Sequence, residues 1–213
     1  KKIAKVDVGH TPVEVIVSGD RAFVLNKFSN DVSVVDLISN SETHRIPVIR
    51  EPVGGVLSND GFYLFVANSL PNMRGTDSTI AAGISIINTR DLVKEKDIFL
   101  PNGSNGIKDI CMSNDGRFAY VSHILARYQL ATTQIERGWI NTNALSVIDV
   151  DNRQYWNTVL LDDVDNGAAN PWGIACSANG ERLFIALAGT HELCMIDRVG
   201  MHEKLEEVQN GTL

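Results

Sequence analysis

The sequence has few cysteines, and none of them has the spacing of a paired functional motif. Its three cysteines, Cys111, Cys176 and Cys194, stand singly within apolar stretches of the 213-residue chain. No CxxC pair and no CxxCH haem-attachment motif is present, so the chain has no site for a covalently attached c-type haem. A buried free thiol behaves as a small hydrophobic residue. We therefore expect free cysteines, with one disulfide open if two facing strands bring their Cα atoms into range.

Basic clusters and long apolar runs are also missing. The net charge is −7 and no Lys/Arg cluster stands out, which argues against nucleic acid as a partner. No apolar run approaches the ~20 residues that span a bilayer, so no membrane span is expected. The chain begins with Lys1 rather than Met, and the lack of a signal peptide therefore decides nothing about its compartment.

Several motifs of enzyme active sites are absent as well. The chain has no GxSxG elbow, no HExxH pair and no Walker loop, which are the local signatures of hydrolases, metalloproteases and phosphate-binding loops. Its five histidines are scattered without a metal-ligand spacing. We therefore predict no catalytic, metal-binding or cofactor-binding residue in this chain.

The sequence does contain a phrase that recurs four times. Each copy has an apolar run, a serine, a polar or Asp/Asn-Gly turn and a short β-rich run. The copies are Val13–Asn26, Val53–Asn68, Ile107–His123 and Trp172–Leu187. Each is followed by a second strand-like phrase: VSVVDL, ISIINT, LSVIDV and LCMIDR. Self-similarity at this length indicates a repeat architecture.

One repeat contains four short strands with turn signals between them. In the second copy these are Gly54–Leu57, Phe62–Ala67, Ile84–Asn88 and Glu95–Leu100, with an Asp-Gly hairpin turn after the first. Repetition of a four-stranded unit predicts an all-β fold, a β-propeller of four-stranded antiparallel blades with about four blades in this chain. The repeats are expected at residues 9–48, 49–100, 101–161 and 162–200. Serine and aspartate recur with the turns, and we interpret them as structural.

The repeat resembles the YVTN-type β-propeller family. The residues that carry the resemblance are Pro12–Asn26, Pro52–Asn68 and Pro171–Leu187, each paired with a phrase such as VSVVDL. The stretch Ser122–Asn143 is most similar to bacterial propeller segments associated with dihaem cytochrome c peroxidase-like proteins. The resemblance implies a periplasmic or cell-surface location. It also implies that any haem would lie in a covalently linked or partner domain.

Neither end of the chain completes a blade in the sequence pattern. Residues 1–8 read as an outer fourth strand without its own blade, and residues 201–213 as a short helix and tail that leave the propeller. Three arrangements are compatible with this pattern, and we favour the first. The chain is part of a larger propeller of ~6–8 blades, or residues 1–8 complete the last blade of a ring of four, or open edges of two chains associate with each other.

The repeat is interrupted at one place, between its second and third strands. From the turn serine to the third strand the distance is 14 residues in copy one (Ser18 to Val32) and 16 in copy four (Ser177 to Leu193). It is 26 in copy two (Ser58 to Ile84) and 32 in copy three (Ser113 to Leu145). Insertions confined to one face of a repeat protein mark a binding face. The alternative is that the two loops only cap the ring and pack on each other.

Candidate binding residues come from these insertions and from the connections on the same face. Arginine and aromatic side chains anchor protein interfaces, and the face combines them with polar residues. The candidates are Arg74, Asp77, His123, Arg127, Tyr128, Gln134, Arg137, Trp139, His10, Asp109 and Trp172.

The sequence leads to one principal hypothesis and two alternatives. The first is a non-catalytic module that presents long loops to a protein partner or adjoining domain, such as a c-type cytochrome domain. The second is a propeller-type lactone hydrolase, which needs acidic groups and histidines that converge at the channel mouth. The third is a surface-layer or adhesion-type protein of the cell surface.

Overall fold

The protein is built almost entirely from short antiparallel strands. A computed structural model describes residues 1–128, 140–163 and 167–212. Within these ranges the strands form four sheets, three of four strands and one of three, each ordered as in the sequence. The predicted β-propeller fold with about four blades is confirmed, and each sheet is called a blade below.

The strand bounds repeat from blade to blade. Blade 1 contains β1 (Pro12–Ser18), β2 (Arg21–Asn26), β3 (Asp31–Asp36) and β4 (Ser41–Pro47). Blade 2 contains β5 (Pro52–Leu57), β6 (Tyr63–Asn68), β7 (Gly83–Asn88) and β8 (Val93–Phe99). Blade 3 contains β9 (Ser104–Met112), β10 (Phe118–Ala126), β11 (Asn141–Asp149) and β12 (Gln154–Leu160). Blade 4 contains β13 (Pro171–Cys176), β14 (Arg182–Leu187) and β15 (Glu192–Asp197), and the helix α1 (Arg198–Gln209) comes next.

The recurring serine closes the turn between the first two strands of a blade. The Ser58 hydroxyl donates to Asp60 Oδ1 at 2.5 Å and accepts the N–H of Tyr63 at 3.0 Å. Ser113 with Asp115 and Ser177 with Asn179 repeat the first contact at 2.5 and 2.7 Å. Each turn ends in a glycine at positive φ, such as Gly61 at 72°, a conformation that glycine adopts without strain. The structural interpretation of these serines is confirmed.

Apolar side chains between neighbouring blades form the core. Phe65 and Ile84 of blade 2 pack with Ile107 and Val121 of blade 3 in one buried cluster. Similar clusters join blade 1 to blade 2 and blade 3 to blade 4. The inner strands contact in the order β1, β5, β9, β13. Among the described strands, no comparable contact joins β13 back to β1, so they do not close a ring of four.

Residues 1–8 form no strand, contrary to the sequence prediction, because none of the described strands pairs with them. Val6 and Val8 instead pack against Ala22, Val24 and Val35 on the free face of blade 1.

The helix after blade 4 is longer than predicted and does not leave the propeller. It begins at Arg198, where the Asp197 side chain accepts the N–H of Gly200 at 3.1 Å. Its buried residue is His202, which hydrogen-bonds the Tyr120 hydroxyl at 2.8 Å. The His202 ring also stacks on Trp156, with ring centroids 4.9 Å apart. These contacts hold α1 against blade 3.

Candidate binding face

The two insertions lie on one end of the propeller, called the insertion face below. In a blade ordered as a simple meander, the loop between its second and third strands lies beside the connection from the preceding blade. The backbone shows this directly. Lys27 N–H donates to Thr11 O at 2.9 Å, and Ser69 N–H donates to Glu51 O at 2.8 Å. The insertion face is therefore made of the second-to-third strand loops and the blade-to-blade connections.

The insertion in blade 2 packs on the connection that enters blade 3. Gly103 N–H donates to Ile80 O at 2.9 Å, and Ala82 N–H donates to Ser104 O at 2.7 Å. Ile80 N–H donates in turn to Asn102 Oδ1 at 2.9 Å. Bonds in both directions make this loop an ordered extension of blade 3.

Arg74 and Asp77 lie at the tip of that loop and form one local turn. Arg74 N–H donates to Asp77 Oδ2 at 2.8 Å, and Asp77 N–H donates to Arg74 O at 3.0 Å. Both residues are exposed. The Asp77 carboxylate therefore shapes the loop through the backbone, while the Arg74 side chain extends from an exposed turn.

The insertion in blade 3 lengthens its two central strands before it becomes a loop. β10 and β11 have nine residues each, where the corresponding strands of blade 2 have six. Ala126 N–H donates to Gly103 O at 2.9 Å, and the Tyr128 hydroxyl donates to Asn102 Oδ1 at 2.7 Å. Asn102 thus accepts bonds from both insertions. Sequence reasoning missed this residue, whose only signal is its position in a connection.

Two of the predicted residues of this loop lie within the described part of the chain. Arg127 and Tyr128 are exposed, and 48% of the Tyr128 surface is accessible. The predicted residues Gln134, Arg137 and Trp139 lie outside the described residues.

Trp172 and His10 add exposed aromatic surface at the same end of the propeller. Trp172 is the second residue of the inner strand β13 and not part of a loop, contrary to the prediction. The Trp172 side chain is 51% exposed, and Lys108 Nζ lies 4.6 Å from its ring centroid. A cation over an aromatic face is an attractive contact. The exposed His10 ring lies 5.7 Å from the ring of Phe28, and Lys27 lies over Phe28. Phe28 was not among the predicted residues, although an aromatic residue in a polar turn indicates exposure.

His123 is not part of the exposed surface, which corrects its selection as a binding-face residue. It is fully buried, and its Nε2 hydrogen-bonds Ser146 Oγ at 2.8 Å. Burial lowers the pKa of His123 to about 4, because desolvation disfavours the charged imidazolium. His123 is therefore a neutral structural residue.

The place of His123 belongs to a polar chain that recurs across the first three blades. In blade 1 the Asn26 amide donates to Ser33 Oγ at 2.7 Å. In blade 2 the Asn68 amide donates to Ser85 Oγ at 3.2 Å, and Ser85 donates to Asp97 at 2.6 Å. In blade 3 the Ser146 hydroxyl, which bonds His123, also hydrogen-bonds Thr158 Oγ1 at 2.7 Å. We call this second-to-third strand contact the blade relay.

Asp109 also lies away from the predicted place, because it belongs to the inner strand β9 and not to a loop. Its carboxylate accepts the N–H of Ile110 at 2.8 Å and the N–H of Ile174 in blade 4 at 3.1 Å. The carboxylate lies against Gly54 of β5, where a Cβ would be 3.4 Å from Asp109 Oδ1. Asp109 therefore joins blades 3 and 4 at the inner wall.

Glu14 is a second acidic residue of the inner wall, and the sequence analysis missed it. Burial raises the pKa of the Glu14 carboxyl, the negative charge of Asp109 raises it further, and a hydrogen bond from the Gly55 backbone opposes both. Its signal in the sequence is a lone carboxylate in the apolar run VEVIV. Glu14 and Asp109 lie near enough for their charges to interact, whereas His123 is buried in its blade and His10 lies beside Phe28.

Two further kinds of site have no candidate in the structure. Over residues 1–128, 140–163 and 167–212, no group of three or more His, Cys, Asp or Glu side chains could hold a metal ion. The helices of these ranges include none long and apolar enough to cross a membrane. The three cysteines are free. The described part of the insertion face combines polar groups that order its loops with aromatic rings that are exposed.

Together, the fold and the insertion face define a β-propeller module with one elaborated face. No family model matches the sequence. A curated relative, hydrazine synthase subunit beta of Kuenenia stuttgartiensis, is 28% identical over 94 residues, which are 44% of this chain and 24% of that protein. The chain therefore aligns with about a quarter of that relative's length.

Solved structures agree on the fold. Kuenenia stuttgartiensis hydrazine synthase matches with a TM-score of 0.53 and 22% identity, over 88% of this chain and 64% of that one. Dihydro-heme d1 dehydrogenase NirN in complex with DHE matches with a TM-score of 0.59 and 15% identity, over 83% of this chain and 32% of that one. At these identities the likeness concerns the propeller fold.

Proposed function

We propose that the chain is a non-catalytic propeller module that binds a protein partner or an adjoining domain through its insertion face. The observation that carries the proposal is the combination of exposed aromatic side chains with ordered loops. Tyr128 and Trp172 are about half exposed, and the insertions of blades 2 and 3 are joined through Asn102. Exposed aromatic side chains on a preorganised surface bind at a low entropic cost.

A c-type cytochrome domain is the partner that we propose. The resemblance to YVTN-type propellers associated with dihaem cytochromes supports this choice. The printed names of the two matched proteins add a subunit of an assembly in one case and a haem compound in the other. One is a subunit of hydrazine synthase and the other acts on a haem d1 compound. The haem would belong to the partner or linked domain, and the complex would be periplasmic or at the cell surface.

The test compares aromatic residues at the two ends of the propeller. The probe is a purified dihaem cytochrome c peroxidase-type domain titrated onto the immobilised chain. Trp172→Ala and Tyr128→Ala should each weaken binding at least about tenfold, as interface anchors do. The matched control is Phe62→Ala, an exposed ring with Arg90 stacked 3.3 Å away, in the turn at the opposite end.

Three outcomes separate the parts of the proposal. Deleting residues 127–139 should abolish binding while the circular dichroism of the blades is kept. Equal loss in Phe62→Ala and Trp172→Ala would show that the insertion face is not the binding face. No binding by the unmodified chain would remove the cytochrome domain as the partner.

A further inference from the structure

Each described interface between neighbouring blades contains one pair of side chains from the two inner strands. The first member lies two residues before the turn serine of its blade, and the second lies one residue before the turn serine of the next blade. Both members pack against the same buried cluster. The pairs are Ile16 with Leu57 between blades 1 and 2, Val56 with Met112 between blades 2 and 3, and Cys111 with Cys176 between blades 3 and 4. The repeat therefore places two thiols where the other interfaces have apolar pairs.

The backbone positions of the two cysteines agree with this pairing. Both β9 and β13 begin at the insertion face and end before a turn serine, so they run side by side in the same direction. Asp109 Oδ2 of β9 accepts the N–H of Ile174 of β13 at 3.1 Å. Cys111 and Cys176 each lie two residues further along their strands. Because successive side chains alternate between the two faces of a strand, both thiols point into the interface between blades 3 and 4.

The charges that act on the cysteines indicate the same neighbours. Burial, with the charges of Cys176 and Asp109, raises the pKa of the Cys111 thiol to about 12. Burial also raises the pKa of Tyr120 to about 12, and Cys176 contributes in the same direction. Tyr120 lies directly opposite Cys111 in the ladder of β9 and β10. Cys176 therefore lies across the interface from the row that contains Cys111 and Tyr120.

Cys194 is not a third member of this group. It lies on β15, and β14 separates β15 from β13. Strands on either side of a third strand are about 10 Å apart, whereas a disulfide needs Cα atoms within about 4.4–6.8 Å of each other. Burial raises the pKa of the Cys194 thiol, and the charges that add to this effect are those of Glu192 and Asp163. Its charged neighbours are therefore not the other two cysteines.

From this placement we infer that Cys111 and Cys176 are a redox-active thiol pair, which forms a disulfide between the inner strands of blades 3 and 4 under oxidising conditions. The oxidant is a small-molecule disulfide such as oxidised glutathione. One thiolate attacks it and releases one thiol, and the second thiolate attacks the resulting mixed disulfide and releases another. Two protein S–H bonds and the S–S bond of the oxidant break, and one protein S–S bond forms. The two electrons and two protons pass to the two released thiols.

The disulfide acts as a clamp on one blade interface. It closes residues 111–176 into a covalent loop that contains the insertion of blade 3 and the connection into blade 4. A cross-link of this kind stabilises a protein mainly by restricting its unfolded chain. The clamp stands apart from the function proposed above, because neither thiol belongs to the insertion face.

Oxidation of the folded chain tests the pair. With oxidised glutathione in native buffer, the chain should lose two of its three thiols, counted with a thiol-specific dye after denaturation. Peptide mapping by mass spectrometry should identify a bridge between Cys111 and Cys176, and Cys194→Ser should form the same bridge. The melting temperature of the oxidised chain should rise by about 5–10 °C, and dithiothreitol should reverse the rise.

Neighbouring positions supply matched controls. Met112→Cys in a Cys111→Ser chain places the thiol on the side of β9 that faces blade 2, and it should form no bridge to Cys176. Cys111→Ala should keep the circular dichroism of the blades and lose the oxidative rise in melting temperature. Three free thiols after oxidation, a persistent mixed disulfide with glutathione, a bridge that includes Cys194, or a bridge between two chains would overturn the inference.

Discussion

Blades 1 to 3 and blade 4 contain the same sequence repeat, but the buried residues on their second and third strands differ. The first three blades carry a blade relay from an Asn or His on the second strand to a Ser on the third. In blade 4 the two places are taken by Leu187 and Cys194, which join the apolar cluster between blades 3 and 4. Blade 4 also has a helix where the others have a fourth strand.

The difference indicates that the blade relay depends on a partner from the fourth strand. In blades 2 and 3 the relay continues to a fourth-strand residue, Asp97 or Thr158. A buried polar group is stable only with a partner. A blade with no described fourth strand has no such acceptor, and an apolar pair is the stable solution there. The relay thus belongs with the four-stranded state of a blade.

The largest expected effect is loss of the relay in blade 3. His123→Ala leaves a cavity and removes one of the two hydrogen-bond partners of the Ser146 hydroxyl, and should lower the free energy of unfolding by about 3–4 kcal/mol. His123→Asn restores the residue type of blades 1 and 2 and should cost about half as much. Urea unfolding measures both. Equal losses in the two variants would show that packing volume, and not the hydrogen bond, matters at this position.

A second substitution introduces the second-strand amide of the relay into blade 4, which lacks the relay. Leu187→Asn places an amide in an apolar cluster and should cost about 2–3 kcal/mol. Adding Cys194→Ser supplies a partner and should recover about 1 kcal/mol. A double-mutant cycle in urea gives the coupling energy. A coupling near zero would mean that the relay needs its fourth-strand acceptor.

Acid should destabilise the docked helix more than it destabilises the blade turns. Burial, the largest cause, and the positive charges of Arg198 and Arg117 lower the pKa of His202 from 6.5 to about 4, while Asp115 opposes them. Because the unfolded chain binds the proton more readily, stability is full above pH 6.5 and declines as the pH falls towards about 4. The loss attributable to His202 should be on the order of 2 kcal/mol.

The pH effect can be separated from that of His123 by substitution. His202→Gln should remove the part of the pH dependence of stability that comes from His202. Urea unfolding at pH 7 and pH 4.5 measures this change. The lowered pKa of His123 also reduces stability at acid pH, and that contribution should remain. Trp156 fluorescence reports on the helix itself, because Trp156 is stacked on His202. An unchanged pH dependence in His202→Gln would contradict the assignment.

The smallest effect is expected on the insertion face. Tyr128→Phe removes the bond to Asn102 and keeps the aromatic ring. Because the group is exposed, the loss should be about 0.5 kcal/mol, and affinity for a partner that contacts the ring should be nearly kept. Thermal unfolding and the binding titration check the two statements. A large loss of stability would indicate that this loop is part of the core.

The sequence predicts the repeated parts of the structure well and the exceptions poorly. Turn residues such as Ser58 and Asp60 are readable because their contacts are local. The place of residues 1–8 depends on a neighbouring sheet, which a sequence pattern does not reveal. His123 looks like an interruption of the phrase, yet its imidazole makes the same contact to a serine that asparagine makes. The charge interaction between Glu14 and Asp109 depends on the fold, because the two residues belong to inner strands of separate blades.

The side chain that ends each third strand has a wider consequence. Asp36, Asn88, Asp149 and Asp197 each accept the backbone N–H three residues later. In three cases the chain then turns into a strand, and in the fourth it starts a helix. This junction is therefore compatible with either kind of element. The outer element can differ between blades without a change in this turn, although blade 4 also replaces the relay residues of its second and third strands.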